Sequence, residues 1–144
     1  MNSLEKTVIY AITLVIDIIL ILIIIYTNMN KFDTIYAVSV LITHAVFYIG
    51  LIHDNRLLLD ICHVMLMVAM ASSVFLKNKF MLYLVISLIL LICATWYFFN
   101  NRCILNTQEQ NNRYIIMELT GLRSVDILGI IMISLLVKLS RTAN

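Results

Sequence analysis

The sequence predicts an all-α integral membrane protein: an antiparallel four-helix transmembrane bundle followed by a short apolar C-terminal helix, either interfacial or a fifth span. Three observations carry this. Of 144 residues, 62% are hydrophobic and 12% charged, with a mean hydropathy of +1.00; soluble domains are nearer half apolar and a quarter charged. Four continuous apolar runs each approach the ~20 residues needed to cross a hydrocarbon core of about 30 Å, without the alternation of a membrane β-barrel. The chain has no proline and three glycines, so straight helices are expected rather than the broken helices of many transporters.

Taken in order, the first run extends from Val8 to Tyr26, interrupted only by Asp17. It is too long for the apolar region of a signal peptide and is followed by no small-residue cleavage site, so a retained span is expected. The polar link TNMNKFD ends at Asp33 or Thr34, either a suitable N-cap for a second span from Thr34 to Ile52. The turn HDNR leads to a third, Leu57 to Leu76, and KNK to a fourth, Phe80 to Phe99. Links this short return each helix beside its neighbour.

The division that follows is a bundle over 1–99, a polar extramembrane segment over 100–124, and a tail over 125–144. The segment NNRCILNTQEQNNR is rich in Asn and Gln, and the tail holds the apolar stretch Val125 to Leu139. That stretch is short for a span, with Asp126 and Lys138 near its ends. With four spans, Lys6, Arg56, Arg102, Arg113, Arg123, Lys138 and Arg141 fall on one side and Lys31, Lys77 and Lys79 on the other. Seven basic residues against three place both termini on the cytoplasmic side. A fifth span would equalise the two counts.

The polar residues inside this apolar sequence are concentrated. All three histidines, His44, His53 and His63, lie between Leu41 and Met67, together with Asp54, Arg56 and Asp60. At about 1.5 Å rise per residue, Asp17, His44, His63 and Cys93 each fall about 13 to 20 Å from the face bearing the first and third links. Arg56, Asp60, His63, Met67 and Met70 form one stripe on span three, and His44 shares a stripe with Phe47 and Leu51. Charged groups at this depth should face inward and pair. The expected buried polar cluster is therefore Asp17, His44, Asp60 and His63. It fixes helix register or lines a site able to relay protons or to ligate haem or a metal between His44 and His63.

His53, Asp54 and Arg56 are expected at a solvated rim capping span three. Cys62 and Cys93 are expected as small buried hydrophobes, Met65, Met67 and Met70 as packing, and Trp96 to Phe99 as an interfacial aromatic belt. Cys62, Cys93 and Cys103 form no CxxC pair. The net charge of +2 is too scattered for nucleic-acid binding. No phosphate loop, HExxH or Gly-x-Ser-x-Gly is present, so an enzyme is not expected.

The stretch WYFFNNRCILNTQE, Trp96 to Glu109, resembles an uncharacterised family of small bacterial four-helix membrane proteins. In that family the last span ends in a Trp followed by Cys-Pro-Leu-Thr and a Glu. Trp96, Cys103, Leu105 and Glu109 match the pattern, while Ile104 and Asn106 replace its proline and threonine. The resemblance implies the architecture and no activity. In size and in its Ile and Asn bias the chain also resembles, by type, multi-span proteins of the internal membrane of large DNA viruses. That likeness implies capsid-type partners.

The function expected is structural: a membrane scaffold whose segment around Asn100, Arg102, Glu109 and Arg113, together with the tail, contacts a partner protein or another copy. Removal of the tail should then leave the bundle folded. The alternative is a redox protein holding haem b or a metal on His44 and His63. A proton or ion conductor through Asp17, Asp60 and the histidines is a third reading, disfavoured by the lack of Pro within the spans and of any Gly there except Gly50, near an end.

Overall fold

The computed structural model describes residues 3–98 and 124–143, which form helices and turns with no strand among them. Among the described residues there are five α-helices: α1 Ser3–Tyr26, α2 Lys31–Ile52, α3 Arg56–Ser72, α4 Lys79–Phe98 and α5 Ser124–Ala143. A single 3-10 turn, Ser73–Phe75, continues α3.

Asparagine side chains start three of these helices. Asn30 stands in extended backbone, and its Oδ1 accepts the Asp33 amide at 3.0 Å while its Nδ2 donates to Asp33 Oδ2 at 2.8 Å. This N-cap, held by a second bond between the two side chains, starts α2 three residues before the expected Thr34, with Asn30 rather than Asp33 or Thr34 as the cap. Asn55 caps α3 through the Leu58 amide at 3.2 Å, so the neutral residue of HDNR caps, not its charged neighbours. Asn78 caps α4, its Oδ1 accepting the amides of Phe80 at 2.9 Å and Met81 at 3.2 Å.

The end of α2 is closed by backbone geometry. The Asn55 amide donates to Gly50 O at 2.9 Å, and Asp54 between them has φ 48°. This is the Schellman arrangement, whose left-handed residue is usually Gly but tolerates Asn or Asp.

Among the described residues, three helices are long and apolar enough to cross a membrane: Lys6–Tyr26, Lys31–Ile52 and Arg56–Phe75, with mean hydropathies of 3.1, 2.0 and 2.0. The apolar part of α4, Lys79–Thr95, is shorter. Between 22% and 28% of each of the three spans is buried inside the protein. The remainder presents large aliphatic side chains outward, such as Val15, Ile25, Ile42 and Val64.

The interior holds two apolar clusters. The larger draws Leu20 and Ile23 from α1, Ala37 from α2, Met70 from α3, then Leu76, and Met81, Leu82, Val85, Ile86 and Ile89 from α4. Leu128, Ile131 and Leu135 of α5, spaced three and four apart, complete it. The smaller joins Ile9, Phe47, Leu51, Leu59 and Cys62.

The C-terminal helix differs from the tail expected. It lies along α4, its far end reaches the 3-10 turn, and Lys138 Nζ donates to Val74 O at 2.7 Å. Leu128 and Leu135 are almost wholly buried, so the apolar face expected to lie on a partner lies on this chain's own α4. Lys6, near the start of α1, pairs with Asp54 in the α2–α3 turn. Lys6 and Lys138 therefore stand at opposite ends of the structure.

The helices α2 and α3 pack closely where Gly50 faces Leu58 and Leu59; a Cβ on Gly50 would lie 3.2 Å from Leu58 Cβ and 3.1 Å from Leu59 Cδ2. A Cβ on Gly129 would meet nothing within 4 Å. Gly129→Ala should stabilise the fold by about 0.5–1 kcal/mol through helix propensity. Gly50→Ala should destabilise it by about 1–2 kcal/mol, overpacking outweighing the same gain. Unfolding in mixed micelles reads both, and equal signs for the two would refute the close approach.

Candidate functional site

On α1, Tyr10, Thr13 and Asp17 recur at three- and four-residue steps and share one face. Thr13 is buried, and its hydroxyl donates to Ile9 O at 2.9 Å within its own helix. Asp17, also buried, looks across to α2. Its Oδ1 stands 2.5 Å from His44 Nδ1, and its Oδ2 accepts the Tyr48 hydroxyl at 2.6 Å. His44 and Tyr48 are four residues apart, so one face of α2 supplies both partners. The Tyr48 ring packs against Tyr10, centroids 5.0 Å apart, which shields the carboxylate on one side.

The Asp17–His44 pairing joins two of the residues expected in the buried cluster. Asp60 and His63 are half-buried on α3, beside Leu59 and Cys62, which enter the smaller apolar cluster. Tyr48 is the member the sequence expectation missed. A carboxylate has more acceptor capacity than one imidazole uses, and a hydroxyl one turn beyond His44 was the available signal. Phe47 and Leu51, the expected stripe-mates of His44, are buried in the smaller cluster, and Phe47 lines a cavity together with His44.

Cys62 is a buried free thiol, its Sγ 3.6 Å from Thr43 O; Cys93 is free and half-buried. Met70 is core, Met67 half-buried and Met65 exposed. A cavity of about 130 Å³ opens between α1, α2, α3 and α4, lined by aliphatic side chains together with Thr13, Thr43, His44, Phe47, Cys62 and Thr95. Among the described residues, no three His, Cys, Asp or Glu side chains are grouped to hold a metal ion. Asn100, Arg102, Glu109 and Arg113, expected to contact a partner, lie outside the described residues, as do Cys103 and Leu105.

No protein-family model matches the chain, and no curated protein or solved structure is similar to it.

At the rim, Asp54 is bonded to the Lys6 ammonium, and that hydrogen bond, aided by the charge, holds its carboxyl below the usual carboxylate range. A lowered folded-state value adds stability that is present above the ordinary carboxylate pKa and is lost as pH falls through the folded value. The pair is exposed, so solvent keeps the effect small. In Lys6→Gln, Asp54 should titrate at higher pH by carbon-detected NMR; an unchanged titration would show that the pair does not persist in solution.

Within the interior site, Tyr48→Phe should cost about 1–2 kcal/mol and His44→Ala about 2–3 kcal/mol, since each leaves Asp17 short of a donor. With Asp17→Asn as the third corner, the losses should be less than additive. Full additivity would mean that the three groups do not act together.

Proposed function

We propose that this chain is a multi-pass membrane protein with a structural, anchoring role. The observation that supports it is the inverted distribution of polarity. Ile25, Ile42 and Val64 are 64%, 61% and 58% exposed, whereas Asp17 and Asp33 are 9% and 1% exposed. Outward aliphatic surface on this scale suits hydrocarbon as solvent, with the polar side chains turned inward to one another.

In this reading α4 completes the four-helix bundle, and α5, packed lengthwise on it, is a fifth crossing rather than an interfacial tail. The termini then lie on opposite sides of the membrane, at variance with the expectation of two cytoplasmic termini. Lys138 and Arg141 change sides, leaving five basic residues on each, so the positive-inside rule no longer selects an orientation. With α5 occupied by α4, partner contact falls to the polar segment 100–124, including Asn100, Arg102, Glu109 and Arg113.

The Asp17–His44–Tyr48 group serves as an interior fastening in this role. The cavity beside it is well below the ~300–1,000 Å³ of pockets that hold drug-sized ligands. That favours the structural reading over haem held between His44 and His63.

Single cysteines at Asn2, Asn28 and Asn144 in a cysteine-free background test the topology with an impermeant maleimide on sealed vesicles. Asn28 and Asn144 should label from one side and Asn2 from the other, with the protein resisting alkaline extraction. Release by alkali would defeat the membrane assignment, and labelling of Asn144 together with Asn2 would defeat the fifth crossing. A Soret band, or stoichiometric metal, lost in both His44→Ala and His63→Ala would replace anchoring with a redox role.

A further inference from the structure

The cavity beside the interior polar group has features that a fastening alone does not require. Its walls come from four helices and are aliphatic except at a few positions, among them His44, Thr13 and Thr95. Two residues of α1, Ile12 and Ile16, together with Leu88 and Leu91 of α4, also line a second crevice of about 360 Å³ between those helices. The crevice therefore borders the cavity at these four side chains, between α1 and α4.

The imidazole is already oriented. Asp17 holds Nδ1 at 2.5 Å, and Tyr48 occupies the other carboxylate oxygen. The nitrogen left for a visitor is Nε2, which accepts a hydrogen bond when the ring is neutral and donates one when it is charged. A hydroxyl can meet either demand; a pure hydrocarbon can meet neither. The volume of about 130 Å³ is close to that of apolar cavities that take up benzene.

We infer that this cavity is a binding site for a small lipid-soluble alcohol or phenol, which enters between α1 and α4, fills the aliphatic walls with its hydrocarbon body and places its hydroxyl on His44. The inference needs the fold but not the anchoring role, so failure of either leaves the other standing.

Phenol and toluene, nearly equal in shape, are the probes. The full chain in detergent micelles is titrated with each, with binding read by saturation-transfer NMR and by the shift in unfolding temperature. Phenol should bind about five- to tenfold more tightly than toluene, the margin of one hydrogen bond. Leu66→Phe, which fills the cavity, should abolish both, and Ile12→Phe serves if that variant does not fold. His44→Leu should retain toluene and erase the preference for phenol. Equal affinities in the unsubstituted protein, binding that survives the filled cavity, or binding of neither probe would overturn the inference.

Discussion

The arrangement of the helices depends on how one buried carboxylate is satisfied. Asp33 is 1% exposed, and its two oxygens accept the amides of Lys77 at 3.0 Å and Asn78 at 2.8 Å, as well as the Asn30 side chain. An unpaired charge there would be costly; charge-assisted bonds to backbone amides offset the burial. Because those amides belong to the α3–α4 connection and Asn30 to the α1–α2 connection, one side chain ties both turns at the same end. Asn78 adds a second tie, its Nδ2 donating to Thr27 Oγ1 at 2.9 Å. The two helical hairpins are thereby set level with each other, and further contacts follow from that registration, including Lys138 reaching Val74.

Helix α2 is the element through which the polar groups communicate. It carries Asp33 at one end, Tyr36 donating to Ala69 O at 3.1 Å, and His44 and Tyr48 meeting Asp17 further along. These bonds point to three different elements, the α3–α4 turn, α3 and α1. Such directional contacts matter more where apolar packing is similar on every side. Leu and Ile on a helix whose outer face is equally aliphatic do not by themselves select a rotation, whereas a carboxylate with defined donors does.

Helical class and the positions of the first four helices were legible in the sequence because apolar run length and link composition report them directly. That Asp17 and His44 stand at one level was legible too, since rise per residue is fixed. Rotation was not: the apolar sequence of α3 did not show that Leu59 and Cys62 are the residues buried in the smaller cluster. The capping residues were missed by a few positions because Asn30, Asp33 and Thr34 are all competent caps, and only the bonds to the α3–α4 turn show Asp33 serving a tertiary purpose. The length of α5 was understated because Ser140 and Thr142 look like a polar tail. Its packing was hidden because an apolar face names no partner.

The position of α5 also has a consequence for biogenesis. Its leucines complete a cluster whose other members are made earlier, so during translation the inner face of α4, with Val85, Ile86 and Ile89, waits for a helix more than twenty residues downstream. Domains acquire structure from the N-terminus as they emerge. Here a helix made after α4 closes the interior, so a chain that stops before α5 keeps a greasy seam open beside α4.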